Sequence, residues 1–169
     1  RSPGVMTGYH DLPEATAEAI TEDGWFATGD IGDIDQAGFV RVSGRKKEIS
    51  ITAGGQNVAP AALEDRIREN KLISQCLVVG DGKPFVAAVI TINTDVWDGE
   101  VTDPDLLDAV QKIVDDANGQ VSRAEWIRKF VIMPQDWTEE NGYLTPSMKL
   151  RRHAVLQDLH DTIESMYVR

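Results

Sequence analysis

Lys149 stands in the run Leu144-Thr145-Pro146-Ser147-Met148-Lys149-Leu150, shortly after Gly142 and just ahead of an amphipathic stretch. A loop of this kind can project an ammonium away from the surface. There a desolvated cation would stabilise negative charge developing at a reacting phosphorus. The plain alternative is a solvated lysine near a helix start. Far upstream, Trp25-Phe26-Ala27-Thr28-Gly29-Asp30 presents a carboxylate after a turn glycine. Its two acceptor oxygens suit vicinal hydroxyls such as those of a ribose, although an acid in this place also serves as an ordinary turn residue. Arg45-Lys46-Lys47-Glu48 combines an arginine capable of bidentate contacts with a charged junction about which two domains could pivot. As bare charge it would be a solvated face. Gly54-Gly55 lets the backbone approach a ligand closely, or merely supplies turn dihedrals.

Other chemistries find less support. Asp33-x-Asp35 with Gly38 opens like a calcium loop, but Ala37 and Gly44 fall where further ligands are required, so these are solvated turn acids. His10, His153 and His160 lack metal-ligand spacing, and no Cys-x-x-Cys occurs. There is no Gly-x-x-x-x-Gly-Lys loop and no Gly-x-Ser-x-Gly elbow. Adjacent Glu139 and Glu140 cannot easily flank one glycosidic bond.

The elements that must position these residues come from a chain of 169 residues, enough for one ordinary core and a small extra piece. With 41% hydrophobic and 27% charged residues it is globular in composition. A formal net charge of -11 argues against nucleic acid as a partner, since phosphate neutralisation needs a basic face. Arg45-Lys46-Lys47 and Lys149-Leu150-Arg151-Arg152 are positive islands better suited to one small anion. No apolar run approaches the ~18 residues of a membrane span. A lone Cys76 beside Leu77-Val78-Val79 reads as a core residue and fits a reducing, cytoplasmic compartment, with peripheral membrane contact left open.

Residues 1–44 carry short strand-like stretches, such as Gly38 to Val42, but too little apolar periodicity to fold alone. They read as the β-rich tail of a larger N-terminal domain, in keeping with a start at Arg1 rather than Met. Residues 45–48 read as a hinge and 49–169 as a mobile C-terminal domain. In that domain Glu48 to Thr52 is a strand, Gly54-Gly55 turns it back, and Pro60 opens a helix with Leu63 and Ile67 inward. Ile73 to Val79 and Phe85 to Ile92 form a hairpin. Asp103-Pro104 caps a second helix bearing Leu106, Leu107, Val110, Ile113, Val114 and Ala117, closed by Asn118-Gly119. Trp126 to Met133 is another strand. A final helix from about Arg151 buries Val155, Leu156, Leu159, Ile163 and Met166. The expected class is α+β, a small antiparallel sheet and hairpin covered by about three helices.

These motifs, and most of the chain around them, resemble the C-terminal signatures of the acyl-adenylate-forming superfamily, which includes acyl-CoA synthetases, peptide-synthetase adenylation domains and luciferases. Pro3-Gly4-Val5-Met6-x-Gly8-Tyr9 with Thr16 is similar to the stretch preceding the family's Thr-Gly-Asp. The resemblance implies that Asp30 and Arg45 hold the ribose of ATP or AMP, and that Lys47 is the hinge position. It implies that Ala53, Gly54 and Gly55 line the pantetheine tunnel of CoA, and that Lys149 is the catalytic lysine. Many members have Gly directly before that lysine. The form with Met148 is similar to the long-chain fatty-acid–CoA ligase branch. Gln56 stands where some short-chain relatives have an ATP-touching Arg.

The implied reaction has two halves. A fatty acid attacks the α-phosphate of ATP to give acyl-AMP and pyrophosphate, with Lys149 in the site. The domain then swings about Lys47, the Gly54-Gly55 face enters, and CoA displaces AMP. Mg²⁺ would accompany ATP with ligands outside this chain. The implied partner is the enzyme's own N-terminal domain, without which residues 1–169 are expected to be inactive. A fatty acyl-AMP ligase or a carrier-loading adenylation enzyme is the alternative within the family. A non-catalytic binding module is the alternative outside it.

Overall fold

The computed structural model describes residues 1–168, with the side chain of Ser43 also outside the described set. The chain divides into two compact units, Arg1–Lys47 and Glu48–Arg169.

The first unit opens with helix α1, Pro13–Ala19, and continues into strands β1, Asp30–Ile34, and β2, Val40–Arg45. The strands pair antiparallel, with Asp30 opposite Arg45 and a bulge between Ile31 and Gly32. Gly32 is obligatory at that bulge, because a Cβ there would lie 2.3 Å from the Arg41 carbonyl oxygen. The β-rich reading of this segment missed α1. Its sequence, Pro-Glu-Ala-Thr-Ala-Glu-Ala, has strong helix propensity and a proline in the first turn, but no large apolar side chain to show a period. No described side chain of this unit is fully buried, and Trp25, Ile34, Phe39, Val40 and Val42 are all more than half exposed. Asp35 behaves as the turn acid expected of it, accepting from the N–H groups of Ala37 and Phe39 at 2.9 Å.

Lys46–Glu48 form a single 3-10 turn, and the second unit begins within it. Strands β3, Ser50–Ile51, and β4, Asn57–Val58, make a short hairpin that feeds helix α2, Pro60–Arg68. The central sheet has the order β5-β6-β7, with β5 at Ile73–Val79, β6 at Val86–Ile92 and β7 at Ile127–Met133. β5 and β6 form the expected hairpin, but β7 pairs parallel to β6. The sheet is therefore mixed, not wholly antiparallel. The cause is topological: the connection from β6 to β7 carries the whole of helix α3, Pro104–Asn118, and such a crossover returns the chain in the same direction.

Alternate residues of the sheet divide between two cores. Cys76, Val78, Val86, Ala88 and Ile90 pack with Leu63 and Ile67 of α2 and with Leu106, Val110 and Val114 of α3. Leu77, Val79, Ala87 and Val89 pack on the other side with Trp137, Val155, Ile163 and Met166. Every residue of β6 is buried, as a central strand covered on both faces requires.

Two helix ends differ from expectation. The final helix breaks at Leu159 into α4, Arg152–Asp158, and α5, His160–Ser165. Leu159 has φ -100° and ψ 17°, although its own N–H still bonds to Val155. Leu156 is 36% exposed instead of buried, being a quarter-turn round the helix from fully buried Val155. At the end of α3, Gly119 has φ -63° and takes no left-handed cap. Asn118 does the work there. Its buried side chain donates to the Ile127 carbonyl at 3.0 Å and accepts from the Ile127 N–H at 2.8 Å, fixing where β7 begins.

Candidate functional site

Lys149 lies in a tight turn. Leu144 and Leu150 bridge antiparallel, the Thr145 N–H donates to the Lys149 carbonyl at 2.8 Å, and the Lys149 N–H donates to Thr145 Oγ1 at 3.1 Å. Leu144 is buried and anchors one side. Met148 has φ 60°, in the left-handed region where glycine is favoured. A glycine would take this conformation without strain. The Lys149 side chain is exposed, and its amine forms no ion pair among the described residues.

Beneath this turn is a cleft of about 240 Å³, lined by Glu48, Glu64, Arg68, Cys76, Met148, Lys149, Leu150 and Arg152. Glu64 is 6% exposed, on the inward stripe of α2 with Pro60, Leu63 and Ile67. Both of its oxygens accept from Arg152 Nη2 at 2.6 Å, and Oε1 also accepts from the Val78 N–H at 2.7 Å. Burial raises the Glu64 carboxyl above the usual range, against the opposing pull of Arg152. Burial, then Glu64, pushes the Cys76 thiol well up, so this cysteine is an inert core residue, as its neighbours suggested. Arg152 corrects one sequence expectation. It is spent on a buried carboxylate, so only part of the Lys149–Arg152 island can meet an anion.

Ala53, Gly54 and Gly55 are exposed at the β3–β4 turn. Thr52 closes that turn, its carbonyl accepting from the Gly55 N–H at 2.8 Å and its hydroxyl from the Gln56 N–H at 3.2 Å. Gly55 has φ 75°, and a Cβ on it would meet nothing within 4 Å. The turn is held from behind by the β5–β6 connection. Ile51 donates to Asp81 Oδ1 at 2.9 Å, Gly82 donates to the Ile51 carbonyl at 2.8 Å, and Ala53 donates to the Lys83 carbonyl at 2.9 Å. Lys83 Nζ in turn reaches both oxygens of Glu164 on α5, at 2.6 and 2.8 Å, which lowers that carboxyl below its ordinary range. Burial and then Glu164 push the neighbouring Tyr167 hydroxyl up to about 12.

In the first unit Asp30 and Arg45 come together, with Oδ1 to Nε at 3.0 Å. Thr28 Oγ1 accepts from the Asp30 N–H at 3.1 Å and shapes the turn before it. Lys47 is exposed in the 3-10 turn. Glu64, Asp81, Lys83 and Glu164 escaped the sequence reading, which counted Arg152 only as part of a positive island. Glu64 had a signal: Pro60, Leu63, Glu64 and Ile67 share one helical face, and a carboxylate on an inward stripe demands a cation. Among the described residues no group of three His, Cys, Asp or Glu side chains could hold a metal ion, and no helix is long and apolar enough to cross a membrane.

Residues 47–169 match the family model of the AMP-binding enzyme C-terminal domain. The chain is 48% identical to the long-chain-fatty-acid–CoA ligase FadD15 of Mycobacterium tuberculosis, over 96% of this chain and 30% of that protein. It is 34% identical to the long-chain-fatty-acid–CoA ligase ACSBG2 of Gallus gallus, over 96% of this chain and 26% of that protein. It therefore spans about 30% of the length of the curated relatives it matches. Its structure is similar to the A domain of carboxylic acid reductase from Segniliparus rugosus, solved with AMP and a co-purified carboxylic acid. The TM-score is 0.82 and the identity 28%, over 99% of this chain and 27% of that one. Because the family match runs from Lys47 through the whole second unit, the chain belongs to the AMP-binding enzyme C-terminal domains of the adenylate-forming enzymes.

Proposed function

We propose that this chain is the closing part of an ATP-dependent long-chain fatty-acid–CoA ligase. The observation that carries the reading is the 48% identity to such a ligase over 96% of the chain. In the first half-reaction the fatty-acid carboxylate attacks the α-phosphorus of ATP, and the bond to pyrophosphate breaks. Lys149 supplies positive charge where negative charge builds up, while Asp30 and Arg45 hold the ribose. The amine of Lys149, exposed and without an ion pair among the described residues, supports this role. In the second half the thiol of CoA loses its proton, attacks the acyl carbonyl carbon and displaces AMP. The backbone of Ala53, Gly54 and Gly55 lies along the pantetheine arm.

Lys47 is the pivot between the two arrangements, and residues 1–44 complete a large N-terminal domain that supplies the acyl pocket. Mg²⁺ arrives with ATP, and the described residues of this chain offer it no ligand set. The buried, unreactive Cys76 suits a cytoplasmic setting, and a long-chain acid favours peripheral contact with a membrane. The likeness to a carboxylic acid reductase A domain supports a second reading, in which a carrier protein replaces CoA as acceptor. Presenting the full-length enzyme with CoA and with a phosphopantetheinyl carrier separates the two.

Lys149→Ala in the full-length enzyme tests the central assignment. Fatty-acid-dependent ATP–pyrophosphate exchange should be abolished, while thioester formation from supplied acyl-AMP persists. Equal loss of both half-reactions would remove Lys149 from the role. Lys47→Pro should leave adenylation intact and slow transfer to CoA. Residues 1–169 alone should catalyse no exchange.

A further inference from the structure

The Lys149 turn is closed by bonds among residues 143–151, which shape the loop but do not locate it on the domain. Location comes from its two flanks. Leu144 is buried on one side, and Arg152 stands on the other, as the first residue of α4. The Arg152 guanidinium forks between two partners: Nη2 alone donates to both oxygens of Glu64 at 2.6 Å, while Nη1 donates to the Val78 carbonyl at 3.2 Å. Glu64 takes the N–H of the same Val78 at 2.7 Å. Both backbone groups of Val78 are thus used by one ion pair, on the side of edge strand β5 turned away from β6. Helix α2, strand β5 and the lysine turn are tied at one buried point, three residues beyond Lys149.

A buried pair of this kind adds little net stability over apolar side chains of the same volume. A planar guanidinium held through two nitrogens on two different partners, by contrast, is fixed in direction as well as distance. Lys149 lines the same cleft as Glu64 and Arg152, so a shift at the fork is passed to the lysine through a very short piece of chain. We infer that Glu64 and Arg152 are positioning residues for Lys149, setting where its ammonium stands during adenylation. The inference rests on the proposed role of Lys149.

The test uses the full-length enzyme with palmitate, ATP, CoA and separately supplied palmitoyl-AMP. Arg152→Lys keeps a cation opposite Glu64 but loses the fork; Glu64→Gln keeps an acceptor but loses the charge. Each should lower kcat for pyrophosphate exchange by about 10- to 100-fold, the scale expected when a catalytic group is misplaced by about an ångström. The KM for ATP and the rate of thioester formation from palmitoyl-AMP should each stay within about 2-fold. Unchanged exchange in either folded variant, where Lys149→Ala abolishes it, overturns the positioning role and leaves the reading of Lys149 standing. An equal fall in both half-reactions shows a merely structural pair and also overturns it. Exchange that survives Lys149→Ala sinks the reading of the lysine itself, and the inference with it. If Glu64→Gln does not fold, Arg152→Lys, which retains the charge pair, decides the outcome.

Discussion

Asp30 and Arg45 face each other directly across β1 and β2, with carboxylate oxygen and guanidinium nitrogen 3.0 Å apart. Register alone produces this pairing, since the two residues end a hairpin whose strands are aligned through the Gly32 bulge. The side chains are 32% and 62% exposed, so the pair itself contributes about 0–1 kcal/mol to the fold. A diol seated on it would gain much more, because hydrogen bonds to charged groups are worth about 1.5–3 kcal/mol. Asp30→Ala should therefore raise the KM for ATP by about 10- to 100-fold in the full-length enzyme with little change in melting temperature. A clear drop in melting temperature with an unaltered KM would make Asp30 a hairpin residue only.

Gly54 gives a cleaner probe of the proposed CoA face than Gly55. A Cβ at Gly54 would have only Thr52 Oγ1 near it, at 3.9 Å, and φ there is not positive. Gly54→Ala should thus be neutral for stability within about 0.5 kcal/mol. If the turn packs against the pantetheine arm, the added methyl slows thioester formation and spares adenylation. Gly55→Ala adds the strain of φ 75° and should cost about 1 kcal/mol as well. Wild-type CoA transfer in Gly54→Ala would remove this turn from the CoA path.

Much of the second unit could be read from its sequence because its signals are local. Short apolar, β-branched runs on either side of a glycine-rich turn announce β5 and β6, Pro60 and Pro104 open helices, and Asp103 caps α3 by accepting from the Asp105 N–H at 2.8 Å. What escaped was non-local. The parallel pairing of β7 depends on where α3 returns the chain, and no residue of β7 encodes that direction. The candidate site divides in the same way. Lys149, Asp30 and the glycine turn sit in short words, whereas Glu64 and Arg152 are joined only by folding, across 88 positions of sequence. Helix α1 failed to show because alanines make a helix without marking a face.

Asn118 should prove more costly to replace than its place at a helix end suggests. Asn118→Leu removes both partners of Ile127, leaving a buried N–H and a buried carbonyl unsatisfied at the first residue of β7. Each orphaned group costs about 1–3 kcal/mol, so a loss of about 2–6 kcal/mol is expected in urea unfolding. Asn118→Asp keeps the acceptor for the Ile127 N–H but sets a second acceptor against the Ile127 carbonyl in a buried place, so it should be no milder. A loss under about 0.5 kcal/mol for the leucine variant would mean that β7 is aligned by the sheet alone.

Two ion-paired carboxylates should leave opposite marks on the pH dependence of stability. Glu64 is raised above 4.5, chiefly by burial, with Arg152, the Val78 N–H and Arg68 opposing. Between 4.5 and its raised value the native state holds more of this proton than the unfolded chain does. Stability therefore falls as pH rises through that window, despite the salt bridge. Glu164 is lowered below 4.5, chiefly by its hydrogen bond from Lys83, with His160 contributing. Its contribution is fully present above 4.5 and is lost as pH falls through the lowered value. Urea midpoints measured on both sides of pH 4.5 separate the two. Glu64→Gln should flatten the decline above 4.5, and Glu164→Gln should flatten the loss below it. If Glu64→Gln instead removes a rise in stability above 4.5, attraction to Arg152 outweighs burial, and the fork stabilises the fold in its own right.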